Sequence, residues 1–261
     1  MINFGLNKRQ KIIVTSIILT FGLLSTQLGD FNLRFRFIAG LGVLAYLLSV
    51  WAIWEGISPL KAIILLVLPT FFTLAVASFY FLLPIRWLTR LPVALVFGLS
   101  FYLLLLSQNV FNVASIRTIP LYRASTTASF LFTLITAFFL FNVIHAFNLL
   151  YFWNGFLIFI VSFPLILQTL WQIEMEDKIY SSILVTSLIL SLSLGEVAAS
   201  FSFWPMVTVV WSLSLASFMY VLLGLVTNSL KGKLSRRVVW EYLAIGGSVF
   251  ILAFLITSWT G

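Results

Sequence analysis

The chain has 261 residues, of which 62% are hydrophobic and 8% are charged. Soluble domains are roughly 45–50% apolar and 25% charged, so this composition excludes a water-soluble fold. The formal net charge of +8 does not call for a nucleic-acid partner, because basic residues collect in the cytoplasmic loops of membrane proteins and meet anionic lipid headgroups there.

Residue counts also limit the chemistry. The chain has no cysteine, which excludes disulfides, iron–sulfur clusters and thiolate metal sites. It has one histidine, His145, so a single chain cannot build a bis-histidine haem site or a His-rich metal centre. We therefore predict no cofactor and no metal, and the sequence favours a protein that is not an enzyme.

Hydrophobic runs follow one another along the chain, each long enough to cross a hydrocarbon core about 30 Å thick. Lys8, Arg9 and Lys11 precede the first run, but that run is too long for a signal peptide and no small-x-small cleavage site follows it, so we predict that it is retained. The sequence predicts an all-α polytopic transmembrane helical bundle of about nine spans, within a range of eight to ten. It predicts one integral membrane domain, residues 1–261, without a soluble domain. The predicted spans are residues 12–28, 37–57, 62–83, 91–107, 129–149, 155–173, 179–200, 205–228 and 238–259.

The basic residues fall unevenly on the two sides of this nine-span arrangement. Four, Arg34, Arg36, Arg86 and Arg90, lie opposite the N-terminus. By the positive-inside rule the N-terminus is cytoplasmic and, with nine spans, the C-terminus lies outside. The N-terminal side carries the other 11 of the 15, namely Lys8, Arg9, Lys11, Lys61, Arg117, Arg123, Lys178, Lys231, Lys233, Arg236 and Arg237.

Two proline positions raise the question of an internal repeat. Pro69 and Pro164 each interrupt a span, and these two spans run in opposite directions, as corresponding broken helices of an inverted repeat do. Simple kinks explain both prolines equally well, and we favour that interpretation.

Small residues follow a four-residue spacing on the seventh span, where they form a predicted helix-packing face of Ser187, Ser191, Gly195 and Ala199. Small side chains let membrane helices approach closely. Ser212, Ala216 and Gly224 on the eighth span offer a partner face. The spacing leaves open whether the two faces meet within one chain or across a dimer.

The longest polar break covers residues 108–128, QNVFNVASIRTIPLYRASTTA. Its apolar spacing before Pro120 predicts a short interfacial helix. Asn112, Arg117 and Arg123 are a candidate anion or headgroup site, because guanidinium groups pair bidentately with phosphate. The alternative, which we favour, is an amphipathic connector whose arginines reach the headgroups.

Two ionisable residues are candidates for an intramembrane polar site, Glu196 in the seventh span and His145 in the fifth. A carboxylate at membrane depth is normally paired, protonated or open to a cavity. The pair would relay protons or bind a cation. In the alternative interpretation both residues are interfacial and Glu196 pairs with a nearby arginine.

The remaining acidic residues suggest solvated groups. Glu55 is placed to pair with Lys61, and Glu241 with Arg236 or Arg237. The acidic turn at residues 174–178, EMEDK, lacks the spacing and the glycine of a calcium loop, so it is interpreted as a solvated loop.

Two adjacent stretches carry a resemblance to other proteins. Residues 109–124, NVFNVASIRTIPLYRA, and residues 130–144, FLFTLITAFFLFNVI, resemble an uncharacterised group of bacterial integral membrane proteins of unknown function. The resemblance implies a bacterial plasma-membrane location and assigns no activity to any residue.

The function favoured by the sequence is small-solute or lipid handling or transport, because intramembrane polar groups, kinked helices and small faces together suit a cavity. One alternative is a non-catalytic scaffold or assembly subunit that docks another membrane protein or a second copy through the Ser187 to Ala199 face. Another is an intramembrane lipid-modifying enzyme, with Glu55, Glu174 or Glu176 as the base beside Arg117 and Arg123. Membrane lipids are partners in all three.

Overall fold

The structure, a computed structural model, describes residues 7–26, 33–54, 58–82, 87–114, 121–175 and 178–257. Its regular elements within these ranges are α-helices, which confirms the predicted all-α class. They are α1 (Lys8–Ser25), α2 (Arg34–Ile53), α3 (Pro59–Leu65), α4 (Val67–Tyr80), α5 (Trp87–Ala114), α6 (Tyr122–Ala146), α7 (Tyr151–Glu174), α8 (Ser181–Phe201), α9 (Thr208–Leu230) and α10 (Arg236–Ile256).

The lengths and compositions of these helices define a polytopic chain. Among the described residues, eight helical segments are long and apolar enough to cross a membrane. The helix α1 is not one of the eight, because Lys8, Arg9 and Lys11 lie within its 18 residues. The helix in the predicted first span therefore differs from the others by its basic first turn.

The third span is divided by a proline, as the sequence predicts. Pro69 has no N–H to donate to the carbonyl of Leu65, and the helix is interrupted at Leu66 between α3 and α4. Pro164, in contrast, lies inside α7, which runs as one helix from Tyr151 to Glu174. The two prolines thus do not produce matching breaks, and the inverted repeat gains no support from them.

The predicted polar break at residues 108–128 is wrong in extent. The helix α5 continues to Ala114 and α6 begins at Tyr122, so the segment after Ser107 extends a membrane helix instead of forming an interfacial one. Gln108 and Asn112 belong to this predicted polar break, but both side chains are buried. Gln108 Nε2 donates to Ser129 Oγ at 3.4 Å, which shows how a polar side chain is accommodated inside a helix bundle.

Contacts between Cα atoms divide the chain into two units, Met1–Phe132 and Thr133–Gly261, and α6 contributes to both. In the N-terminal unit, α1 packs against α2 and α5, and α2 packs against α4. Phe72 and Phe97 stack in its core with ring centroids 5.8 Å apart. The organisation of residues 1–261 as one domain stays a prediction.

The C-terminal unit is built from two antiparallel helix pairs together with the second half of α6. The helices α7 and α8 make the most extensive contact, followed by α9 and α10. The helix α9 also contacts α7 and α8. Only Ala253 is buried among the residues of α10, so this helix lies at the edge of its unit.

Candidate functional site

His145 lies at the end of α6, where it meets the beginning of α9. A hydrogen bond joins His145 Nδ1 to Thr208 Oγ1 at 3.2 Å. The imidazole also lies against the indole of Trp211, with ring centroids 4.5 Å apart and the planes inclined by 34°. Two neighbours from α9 therefore fix the orientation of the only histidine in the chain.

Two polar side chains in this region are buried, Trp211 against the ring of His145 and Asn142 one helical turn back along α6. Asn142 precedes His145 by three residues on α6, and Trp211 follows Thr208 by three residues on α9. The C-terminal end of α6 meets the N-terminal end of α9. Asn142, one turn before the end of α6, and Trp211, one turn after the start of α9, therefore lie at the same depth. Asn142 is 4% exposed and Trp211 is 0% exposed.

Neither of these side chains finds a hydrogen-bond partner for its donor among the described residues. Asn142 Nδ2 and Trp211 Nε1 are both fully buried and unpartnered. An indole N–H is a donor only, so the group that satisfies Trp211 must be an acceptor. We refer to Asn142, His145, Thr208 and Trp211 as the His145 cluster.

Asn154 adds a further polar side chain at the same end of the C-terminal unit. It lies in the first turn of α7, and its Nδ2 donates to Ser202 Oγ at 3.0 Å and to the Leu149 carbonyl at 3.3 Å. Its Oδ1 is buried without a partner in the described part of the chain. The helix α7 begins where α6 ends and α8 ends where α9 begins, which brings Asn154 and Ser202 to the end that carries His145.

Glu196 is not part of the His145 cluster. Its side chain is exposed, and its carboxylate makes no hydrogen bond or ion pair with any described residue. The structure does not bring Glu196 into contact with His145, so nothing joins the two residues into the predicted relay. Their separate roles stay predictions.

The predicted packing face of Ser187, Ser191, Gly195 and Ala199 lies against α7 in the same chain. A Cβ atom added at Gly195 would lie 2.8 Å from the Gly155 carbonyl oxygen, and one added at Gly155 would lie 2.8 Å from the Gly195 carbonyl oxygen. The suggested partner face on α9 is not what meets this stripe at Gly195. Gly224 of that face instead lies against the ring of Tyr242 on α10.

The candidate anion site is dispersed. Asn112 is buried on α5, where its Nδ2 donates to the carbonyl of Ile53 at 3.3 Å. Arg123 is exposed near the beginning of α6. Arg117 lies outside the described residues. The anion site of Asn112, Arg117 and Arg123 stays a prediction that the described contacts do not assemble.

The structure also locates the charged groups that the sequence left in solvent. Arg237 Nε donates to Glu241 Oε1 at 3.0 Å, which forms one of the exposed pairs expected at the start of α10. Lys61, in contrast, is 7% exposed, so the expectation that it is solvated is wrong. Its helix α3 packs against α4 and α5, which removes this side chain from solvent, and Glu55 lies outside the described residues.

Glu174 at the end of α7 is exposed, whereas Glu176 and Asp177 lie outside the described residues. In the parts of the chain that the structure describes, no three His, Cys, Asp or Glu side chains come together to hold a metal ion.

Sequence reasoning found His145 but not its partners. Asn142 lies in the predicted span 129–149 and Thr208 in the predicted span 205–228, and no motif or spacing joins either of them, or Asn154, to His145. One signal is present in the sequence, because Trp211 lies inside the predicted span 205–228, whereas tryptophan is favoured at the interfaces where spans end. A buried indole inside a membrane helix needs a polar neighbour or a ligand.

These observations define the class of the protein as a multi-pass α-helical membrane protein with a buried polar cluster at one end of its C-terminal unit. Residues 54–256 match a family described as a protein of unknown function, DUF5656, and the chain belongs to this family. No curated protein and no solved structure matches the chain.

Proposed function

We propose that the protein binds a small polar solute at the His145 cluster and that this binding is a step in handling or transporting that solute. The observation that supports the proposal is the pair of buried donors without partners, Asn142 Nδ2 and Trp211 Nε1. An unsatisfied buried polar group costs about 1–3 kcal/mol. A solute that accepts hydrogen bonds from both groups removes that cost.

The chemistry of the cluster favours a solute with acceptor oxygens, such as a carboxylate, an amide or a sugar. Both unpartnered groups are donors, and the carboxylate of Glu196 is exposed elsewhere, so the cluster lacks the negative charge that a cation needs. The ring of His145 covers one side of Trp211 and helps to keep water away from the indole. Intramembrane polar groups of this kind commonly mark a substrate path.

The first experiment measures the thermal stability of the purified protein with a panel of short carboxylates, amides and sugars. A solute that binds the folded protein raises the melting temperature. Asn142→Leu is expected to raise the free energy of unfolding of the unliganded protein by about 1 kcal/mol or more, because it removes an unsatisfied donor. The same variant is expected to lose the solute-induced shift, and flux of that solute into proteoliposomes should fall with it.

A matched pair of tryptophan variants supplies the control. Trp211→Phe removes a buried N–H that has no partner, whereas Trp153→Phe removes an exposed indole at the same end of the unit. Only Trp211→Phe is expected to abolish the solute-induced shift. If no member of the panel shifts the melting temperature and Asn142→Leu lowers stability, the proposal is wrong.

We further infer a bacterial plasma-membrane location with the N-terminus in the cytoplasm. The uneven distribution of lysine and arginine supports the orientation, and the resemblance to bacterial membrane proteins supports the location. The chain has no cysteine, so single cysteines introduced at Ser235 and Phe203 can be labelled separately. A membrane-impermeant maleimide should label Phe203→Cys in intact cells and should label Ser235→Cys only after lysis; the reverse pattern contradicts the orientation.

A further inference from the structure

The connection between α9 and α10 is an ordered turn that carries basic residues. It ends α9 in a Schellman motif, in which Lys233 N donates to the Asn228 carbonyl and Gly232 N donates to the Ser229 carbonyl, both at 2.9 Å. Gly232 adopts φ +64°, a left-handed conformation that glycine takes without strain. Ser235 then caps α10 by accepting a hydrogen bond from Val238 N. The chain direction through the turn is therefore fixed by backbone hydrogen bonds.

Three cations on this turn have no counter-charge among the residues that the structure describes. Lys231, Lys233 and Arg236 are exposed and form no ion pair with any described residue, whereas Arg237 is paired with Glu241. Partial desolvation, together with the neighbouring charge of Lys233, lowers the pKa of Lys231 below its usual range. An anion on the turn would relieve this repulsion between like charges.

An apolar surface continues from the turn along α10. This helix contacts α9 where the Tyr242 ring covers Gly224 and where Val221 meets Gly246. Beside that contact, a groove of about 350 Å³ lies between α6, α9 and α10, and its lining includes Phe138, Tyr220 and Ile245. The exposed side chains of Leu234 and Trp240 flank the basic residues, as expected for a turn at headgroup level.

We propose that the α9–α10 turn and the groove deeper along α10 together form a binding site for an anionic phospholipid. The phosphate lies among Lys231, Lys233 and Arg236, and an acyl chain lies along α10 in the groove. Ile245 is nine residues beyond Arg236, about 14 Å along the helix, which matches half of the hydrocarbon core. Charge complementarity selects an anionic headgroup, and the groove selects a lipid over a free anion.

The test titrates the detergent-purified full-length protein with phosphatidylglycerol or with phosphatidylcholine of the same acyl chains and counts bound lipid by native mass spectrometry. The wild-type protein is expected to prefer phosphatidylglycerol. The triple variant Lys231→Gln, Lys233→Gln, Arg236→Gln is expected to lose about tenfold or more in affinity for it. The control triple variant Lys8→Gln, Arg9→Gln, Lys11→Gln removes the same charge elsewhere and is expected to bind as the wild type does.

A second pair of variants tests the groove. Ile245→Trp fills it, whereas Ile251→Trp places the same bulk at an exposed position of α10 that is not part of its lining. Only Ile245→Trp should weaken phosphatidylglycerol binding, by a few fold. Ile245 and Ile251 are exposed, and Lys231, Lys233 and Arg236 lie on a surface turn, so unchanged melting temperatures are expected for these three variants and verify that they fold.

Glycerol phosphate, the headgroup without tails, distinguishes a lipid site from an anion site. Binding of glycerol phosphate as tight as that of phosphatidylglycerol overturns the proposal in favour of a free anion. Equal losses in the two triple variants also overturn it, because net charge then explains the binding. If native mass spectrometry shows a dimer that does not bind phosphatidylglycerol, the proposal is also wrong, and α10 instead contacts a second copy of the chain.

Discussion

The two helix pairs of the C-terminal unit both place a glycine at their contact, yet they use it differently. Between α7 and α8, Gly155 and Gly195 face each other, and the carbonyl oxygen of each lies 2.8 Å from where the other's Cβ would be. Between α9 and α10, Gly224 accepts the ring of Tyr242. A backbone carbonyl cannot move without its helix, whereas an aromatic side chain can rotate. The first contact is therefore rigid and the second can adjust.

The largest expected effect is that of Gly195→Leu. The new side chain meets the backbone of α7, and such overpacking costs about 3 kcal/mol. The matched control is Gly247→Leu on α10, because a Cβ at Gly247 has no neighbour within 4 Å among the described residues. Its expected change in the free energy of unfolding is within about 0.5 kcal/mol. Equal losses for the two variants in a denaturant titration would contradict the contrast.

A double-mutant cycle sharpens the description of the α7–α8 contact. Gly155→Ala and Gly195→Ala should each lower the free energy of unfolding by about 2 kcal/mol, because each forces the same two helices apart. The second substitution should then cost at least about 0.5 kcal/mol less than the first, since the helices are already separated. Additive losses would show that the two glycines do not share one contact.

Substitution of the glycine at the α9–α10 contact should lower the free energy of unfolding less than substitution at the α7–α8 contact. Gly224→Ala pushes the ring of Tyr242 aside and disturbs the hydrogen bond that Asn228 Nδ2 donates to Tyr242 Oη at 3.3 Å. We expect a loss of about 1 kcal/mol, the net value of such a hydrogen bond. Gly224→Ala combined with Tyr242→Phe should cost little more than Gly224→Ala alone. A loss of unfolding free energy as large as that of Gly195→Ala would show that the α9–α10 contact is rigid as well.

The smallest expected effect lies on the exposed face of α8, immediately beside Gly195. Glu196→Gln removes a carboxylate that has no partner among the described residues, so the free energy of unfolding should change by no more than about 0.5 kcal/mol. Solute binding at the His145 cluster should also be unchanged. If Glu196→Gln loses solute binding, Glu196 belongs to the binding site after all.

Particular residues show how much of the helix packing and of the candidate site the sequence predicts. The small-residue spacing identified the face of α8 that contains Gly195, but it suggested the face of Gly224 as a partner, whereas the structure places Gly155 there. The spacing of small residues shows that one surface of a helix is smooth, but it does not show which other helix packs against that surface. The same limit applies to the site, where His145 stood out because it is the only histidine, while Thr208 and Trp211 come from a helix more than 60 residues away.

The predictions that the structure corrects concern mainly polar residues, again because the sequence does not show which helix surfaces pack together. The sequence predicts that Gln108 and Asn112 belong to a polar break with a short interfacial helix, and that Lys61 is solvated. All three are buried, because neighbouring helices supply contacts that composition does not reveal. A local window of sequence records the polarity of a residue, whereas burial depends on what packs against it.

The sequence by itself determined that this chain is a set of helices, because lipid offers no hydrogen bonds and long apolar runs must satisfy their backbone internally. It also determined the interruption of the third span, because Pro69 has no N–H to give. The tertiary structure decided which helix faces meet, that Trp211 and Asn142 are buried with donors left unpartnered, and that α10 stays exposed. Those features depend on dispersion contacts and hydrogen bonds between helices distant in the chain, and only packing brings such helices together.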